Sequence, residues 1–100
     1  MQIHNVYFWL KEGLEASDIQ SFEDGLTSLT HDERVITGYF GKPATTENRD
    51  VVDSTYHHGL VLSFDNVAAH NQYQAGKAHQ AFVDDHGQKF DRVQVYDIQT

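Results

Sequence analysis

The most informative segment of this sequence is Ile3-His4-Asn5-Val6-Tyr7-Phe8-Trp9-Leu10, close to the amino terminus. It is rich in β-branched and aromatic residues, which predicts a strand. Successive side chains of a strand point to opposite faces of the sheet. Both alternating sets are largely apolar here: Ile3, Asn5, Tyr7 and Trp9 on one side, and His4, Val6, Phe8 and Leu10 on the other. We therefore expect this strand to be covered on both faces.

A helix is predicted to follow, opening at Ser17. Gln20 comes three residues later, which is the spacing of a capping box. Apolar residues then recur at helical spacing and form one stripe, made of Ile19, Phe22, Leu26 and Leu29.

Three more strands and a broken helix complete the pattern. Strands are predicted over residues 35–40, 55–64 and 92–98, with a polar loop over 44–53. Asp65-Asn66 is expected to cap a short helix, Gly76 to interrupt it, and a second helical piece to run over 78–86. The order β-α-β-β-α-β predicts an α+β fold, a ferredoxin-like four-stranded antiparallel sheet, in one domain over residues 1–100.

The two-sided apolar character of the strands bears on assembly. Two helices on one face would leave the opposite face open, yet Val61 of the third strand lies beside the stripe of Tyr56, Leu60, Leu62 and Phe64. An exposed apolar sheet face usually marks an interface, and a symmetric dimer would cover it. We expect a homodimer through the open sheet face. The competing interpretation is a mistaken strand register.

The composition argues against several partners. Fifteen acidic and seven basic residues give a formal net charge of −8, which disfavours nucleic acid and anionic membranes. The longest apolar stretch, Val6 to Leu10, is too short to cross a bilayer. The chain has no cysteine and its first residues do not resemble a signal peptide, so a cytoplasmic location is expected.

Several short motifs together resemble the stress-responsive dimeric α/β-barrel (Dabb) family. They extend from His4 to Ile98 and comprise His4-Asn5-Val6-Tyr7-Phe8-Trp9-Leu10-Lys11, Tyr39-Phe40-Gly41-Lys42, Tyr56-His57-His58-Gly59-Leu60-Val61-Leu62-Ser63-Phe64, Tyr73, and Ala78-His79-Gln80-Ala81-Phe82. The resemblance implies a ferredoxin-like subunit that pairs into a dimeric α/β barrel. Most members of the family have no assigned activity.

The resemblance also implies a site. A plant polyketide cyclase of this family closes its substrate by aldol condensation without metal or cofactor, using a histidine and a tyrosine that match His79 and Tyr73. Two further family histidines match His4 and His58, which would line the pocket. The sequence departs from the family where Lys77 replaces a frequent proline before Ala78-His79, so the start of this helix differs.

The residue chemistry is compatible with that site. Histidine moves protons near neutral pH, so His79 is a candidate general base, and Tyr73 a candidate hydrogen-bond donor to a developing enolate. The six-residue spacing would not place the two on one face of an unbroken helix, so they would converge only if Gly76 breaks it. His4 and His58 could approach each other if strands one and three are neighbours. The alternative for each histidine is a purely structural role.

The remaining histidines give no clear signal. His57 and His58 are adjacent and would point to opposite faces of a strand, and there is no His-Glu-x-x-His motif, so we expect no metal site and no cofactor. His31, His70 and His86 are interpreted as surface residues near helix ends.

Three function classes stay open. The first is a homodimeric binder of a small apolar or carbonyl compound. The second is a cofactor-independent cyclase, lyase or isomerase acting on an enolisable carbonyl compound. The third is a haem- or oxygen-handling monooxygenase, which nothing beyond the fold supports.

Overall fold

The chain folds into a four-stranded antiparallel sheet with three helices packed on one face, and the computed structural model describes all of residues 1–100. The elements in chain order are β1 (Gln2–Leu10), α1 (Ala16–Thr30), β2 (Thr37–Gly41), β3 (His58–Phe64), α2 (Val67–Gln74), α3 (Lys77–His86) and β4 (Phe90–Gln99). A short 3-10 turn, Gly87–Lys89, precedes β4. The predicted α+β, ferredoxin-like order is confirmed.

Strand β1 lies in the interior of the sheet, whose order is β2-β3-β1-β4. It pairs antiparallel with β3, where His4 lies opposite Leu62 and Phe8 opposite His58. It also pairs antiparallel with β4, where Val6 lies opposite Val95. The alternating burial of β1 follows from this position: even-numbered side chains are buried under the helices, and odd-numbered ones are half-buried on the open face.

Helix α1 begins earlier than its sequence pattern indicates. The predicted capping box of Ser17 and Gln20 is wrong, because Asp18 accepts a hydrogen bond from the backbone N–H of Glu15 at 3.1 Å. Gln20 instead donates to Asp24 within the helix. A carboxylate near the positive end of the helix is a strong acceptor, so it sets the helix start at Ala16. The apolar stripe buries Phe22, Leu26 and Leu29 as expected.

The first residues of β2 and β3 also differ from the predicted ones. Residues 35 and 36 precede β2, and Val35 N–H closes a turn onto the carbonyl of Asp32. The third strand starts at His58 and not at residue 55, because Thr55 is tied to Asp53 and receives a hydrogen bond from the Trp9 indole. The loop between β2 and β3 therefore covers residues 42–57.

The predicted break between the second and third helices is confirmed. The Asn66 side chain accepts from Ala69 N–H and caps α2, and Gly76 is extended (φ −78°, ψ 164°) at the start of α3. A Cβ atom at Gly76 would lie 3.2 Å from the carbonyl oxygen of Tyr73. This close approach favours glycine where the chain turns between the two helices.

The core lies between the helices and the sheet. Eleven buried side chains form it: Val6, Phe8, Leu10, Phe22, Leu26, Leu29, Leu60, Leu62, Phe64, Tyr73 and Phe82. None of the helices combines the length and apolar character needed to cross a membrane, and the longest, α1, has 15 residues.

Candidate functional site

A cavity of about 150 Å³ lies between the sheet and helices α2 and α3. Its wall is mainly apolar, and four of its side chains are polar or ionisable. The lining comprises His4, Val6, Phe8, Leu29, Leu60, Tyr73, Gln74, His79, Phe82, Val83, Phe90, Val93 and Val95. Three of the four residues that the sequence indicated, His4, Tyr73 and His79, therefore meet at one cavity.

Tyr73 and His79 come together because the helix is broken between them. Tyr73 belongs to the last turn of α2, and His79 to the first turn of α3. Their ring centroids are 5.3 Å apart in an edge-on arrangement, with an interplanar angle of 69°. The change of direction at Gly76 thus brings together two side chains that a continuous helix would place on different faces.

The surroundings of the two side chains favour opposite roles in proton transfer. Burial, followed by the negative charge of Asp32, raises the pKa of Tyr73 above its ordinary range, so its hydroxyl stays a donor. The pKa of His79 is lowered mainly by burial and, to a smaller extent, by the nearby His4. His79 is therefore a neutral imidazole at pH 7 and is able to accept a proton.

His4 is held rigidly at the edge of the same cavity. Its Nδ1 donates a hydrogen bond to Asp97 Oδ1 on β4 at 2.6 Å, and its ring lies 6.4 Å from the ring of Tyr73. The ring of His70 lies closer still, at 4.2 Å between centroids. The carboxylate fixes the orientation of the His4 ring.

His58 does not line this cavity. It faces the helices from β3, where its Nε2 donates to Glu23 Oε2 on α1 at 2.8 Å. The sheet register places it opposite Phe8, four residues from the position opposite His4, which corresponds to roughly 13 Å along the strands. Strands one and three are neighbours as expected, but His4 and His58 do not approach each other.

Two histidines interpreted as surface residues are buried. His70 is only 7% exposed and His86 only 6%. The prediction failed because proximity to a helix end does not determine which side of the helix faces the core. For His70 a signal was present: it precedes the buried Tyr73 by three residues, so both lie on one helix face. His31 is exposed, as expected.

The contacts of His86 indicate a structural role. The ammonium of Lys89, itself buried, donates to His86 Nδ1 at 3.0 Å and to the carbonyl of Asp18 at 2.9 Å. Burial, followed by the charge of Lys89, lowers the pKa of His86. A Cβ atom on Gly25 would lie 2.7 Å from His86 Nε2, which shows how tightly this ring packs against α1.

Asp97 is the residue of this region that sequence reasoning missed. On β4 it has the parity of Val93 and Val95, whose side chains line the cavity, so the alternation of the strand offered a weak signal. Its pairing with His4 joins residues 93 positions apart and depends on the β1–β4 register.

The comparisons with known proteins establish the family. The family model described as the Stress Responsive A/B Barrel Domain, Dabb, matches residues 3–100. The chain belongs to the Dabb family. No curated protein matches its sequence.

Solved structures share the fold of this Dabb chain. A Dabb family protein from Mesorhizobium loti has a TM-score of 0.78 at 23% identity, over 99% of this chain and 95% of that one. A dimeric ferredoxin-like protein of unknown function from Thermobifida fusca has a TM-score of 0.79 at 13% identity, over 99% and 90%. A hydroxynitrile lyase from Passiflora edulis has a TM-score of 0.81 at 15% identity, over 97% and 90%. Such identities show a common fold and nothing finer.

The open face of the Dabb sheet carries a second, larger cavity of about 270 Å³. Its floor is aromatic, and the guanidinium of Arg92 lies 4.3 Å from the centroid of the Trp9 ring. The lining comprises Tyr7, Trp9, Asp53, Tyr56, Arg92, Gln94 and Tyr96. It contains no histidine, so we place the candidate proton-transfer chemistry in the smaller cavity under the helices.

Proposed function

We propose that this Dabb protein is a homodimer whose cavity between sheet and helices binds a small apolar or carbonyl compound. The observation that carries the proposal is the mainly apolar cavity in which His4, Tyr73, Gln74 and His79 supply the polar groups. Ligand sites commonly combine an apolar wall with a few convergent polar groups.

The size of the cavity limits the ligand. At about 150 Å³ it is smaller than the usual sites of drug-sized molecules and comparable to an apolar protein cavity that accepts benzene. We therefore expect a monocyclic aromatic compound or a short-chain carbonyl compound. The Tyr73 hydroxyl would donate a hydrogen bond to a carbonyl oxygen there.

A pair of matched valine variants tests the ligand site. Val95 lines the cavity and Val67 does not, yet their exposed fractions are 42% and 40%. We expect Val95→Phe to fill part of the cavity and weaken binding of small aromatic aldehydes and ketones at least tenfold. Val67→Phe should leave binding unchanged. Ligand-observed NMR and titration calorimetry measure both.

Two outcomes would contradict the assignment. Equal affinities of wild type and Val95→Phe would place the ligand elsewhere, such as the open-face cavity. A complete absence of saturable binding across monocyclic and short-chain carbonyl compounds would remove the binding function.

The homodimer is supported by the open face itself. Apolar side chains remain exposed on or beside it, including Tyr39 at 68%, Tyr96 at 59% and Ile98 at 54%. The structural relative from Thermobifida fusca is described as dimeric. Two copies packed through these faces would bury the aromatic floor and close the barrel after which the family is named.

The dimer interface is tested by introducing a negative charge on the open face and, as a control, on a helix. Tyr96→Asp introduces a carboxylate on the open face, and we expect the mass from light scattering to fall to that of one chain. Val67→Asp is the control, because an acidic residue is well tolerated in the first turn of α2. A monomeric wild type, or a Tyr96→Asp variant that stays dimeric at low micromolar concentration, would contradict this interface.

A second candidate function is favoured by the contact between Tyr73 and His79. In this alternative the protein is a cyclase, lyase or isomerase acting on an enolisable carbonyl compound. His79 takes the acidic C–H or hydroxyl proton, and Tyr73 donates a hydrogen bond to the developing oxyanion. The opposite pKa shifts of the two groups suit these roles.

Turnover assays decide this alternative. Polyketide-like and other carbonyl compounds, and hydroxynitriles in view of the Passiflora relative, are incubated with wild type, His79→Ala and Tyr73→Phe. We expect His79→Ala to reduce kcat/KM by 10²-fold or more, as is typical for loss of a general base. Equal turnover by wild type and His79→Ala would exclude His79 as the base.

A further inference from the structure

We propose that His4, His70 and Asp97 form a binding site for a divalent transition-metal ion of the Zn²⁺ type. The three residues come from β1, α2 and β4 and are brought together only by the fold. One ring nitrogen of each histidine and one carboxylate oxygen of Asp97 all lie within 4.8 Å of one another.

The buried state of His70 points to a ligand. Its ring is stacked on Phe64 with 5.1 Å between centroids, and its centroid lies 4.2 Å from that of His4. Its Nε2 is buried and has no hydrogen-bond partner in the protein. Buried polar atoms are nearly always paired, and an orphaned one calls for an explanation such as a bound ion.

A second orphaned atom lies on the strand face that carries His4. Gln2 precedes His4 by two residues on β1, so both side chains point toward the helices. Gln2 is 3% exposed, and its Oε1 also lacks a hydrogen-bond partner. The helix-covered end of β1 therefore holds two unpaired polar atoms beside an imidazole–carboxylate pair.

The donor set selects the type of ion. Two imidazoles and one carboxylate are the ligands that Zn²⁺ and its first-row neighbours accept, with further positions left to water or a small ligand. Mg²⁺ and Ca²⁺ prefer sites built from several oxygen atoms, and only one carboxylate is present here. We therefore expect Zn²⁺, Co²⁺ or Ni²⁺ to bind and Mg²⁺ not to bind.

The geometry needs only a local adjustment. Ligand atoms around a tetrahedral ion with bonds of about 2.0–2.2 Å are about 3.3–3.6 Å apart. The His4–Asp97 contact of 2.6 Å must open slightly, and any separation close to the 4.8 Å limit must shorten. The Asp97 side chain is 44% exposed, so an ion can reach the site from solvent.

Metal titration of untagged protein tests the site. We expect Zn²⁺ calorimetry to give one ion per chain, and Co²⁺ to give visible absorption bands that Zn²⁺ abolishes. Asp97→Asn, a partly exposed position whose variant should fold, is expected to weaken Zn²⁺ binding at least tenfold, and His70→Ala at least a hundredfold. His31→Ala, at an exposed histidine, is the matched control and should bind like wild type.

The readout is binding and not turnover, so the result is independent of the proposed function. Equal Zn²⁺ affinity in wild type and Asp97→Asn would overturn the proposal. Weak binding of several ions per chain that is reduced as much by His31→Ala as by the site variants would also overturn it, because scattered surface histidines would then be the ligands. A folded His70→Ala variant that keeps the wild-type Co²⁺ spectrum would also contradict it.

Discussion

The two faces of the sheet use the same strands in different ways. The helix-covered face buries ionisable side chains in separate pairs: His4 lies against Asp97, and His58 lies against Glu23. The open face carries no histidine among its sheet residues and presents aromatic rings, such as Tyr7 and Trp9, beside Arg92. On the helix-covered face, burial strengthens the effect of each hydrogen-bond partner on an ionisable side chain. On the open face, partly exposed apolar rings are suited to association with another protein surface. One alternating strand, β1, supplies both surfaces.

The largest expected effect on the free energy of unfolding comes from comparing two neighbouring residues of β3 that lie on opposite faces of the sheet. Leu62 is fully buried under the helices, and Val61 lies on the open face. Leu62→Ala should lower the free energy of unfolding by about 2–5 kcal/mol at every protein concentration. Val61→Ala should mainly change how stability depends on concentration. Urea unfolding at two concentrations measures both, and equal effects of the two variants would mean that the faces are energetically equivalent.

A smaller effect is expected where a buried histidine loses its partner. Glu23→Ala removes the acceptor of His58 Nε2, and His58 Nδ1 already has no partner. Leaving this buried donor unpaired should cost about 1–3 kcal/mol of unfolding free energy. Glu33→Ala is the control, because Glu33 lies 4.0 Å from Arg34 and is 85% exposed, so its loss should be nearly neutral. If both variants unfold at the same urea concentration, burial does not strengthen the His58 pair.

The two faces should also respond differently to pH. The pKa values of His79 and His86 are lowered from about 6.5 by burial, so below that pH the unfolded chain binds more protons than the folded one. Their contribution to stability is present above pH 6.5 and is lost as the pH falls through the lowered values. We expect thermal unfolding midpoints to drop between pH 7 and 5, less steeply in His86→Gln. Dimer affinity should change little over this range, and a stability that stays flat below pH 6.5 would contradict the shifts.

The smallest expected effect lies on the open face. Arg92→Ala removes a cation–π contact of 4.3 Å with Trp9, which at an exposed site contributes roughly 0.5–1 kcal/mol. Arg49→Ala, in the exposed loop, should change the unfolding free energy by less than about 0.5 kcal/mol. Trp9 fluorescence during urea unfolding follows both variants. A loss of several kcal/mol on removing Arg92 would show that the open face depends on this charge far more than its exposure suggests.

Local patterns in the sequence predicted the elements well because they depend on nearby residues. The period-two pattern of residues 3–10, the cap at Asn66 and the break at Gly76 each act within a few positions. Where two local signals competed, the prediction failed: Asp18 and not Ser17 sets the start of α1. The meeting of Tyr73 with His79 was likewise accessible, because it needs only a helix that breaks at Gly76.

The sequence alone thus determined the order of elements, the two-sided character of β1 and the helix break at Gly76, and the family resemblance implied the pairing of Tyr73 with His79. Only the tertiary structure decided that His58 belongs with Glu23, and that His4 belongs with Asp97 and His70. Those contacts depend on strand register and on the packing of α1 and α2 against the sheet. Burial of a polar side chain is a property of its neighbours in space, and periodicity along the chain does not specify which neighbours those are.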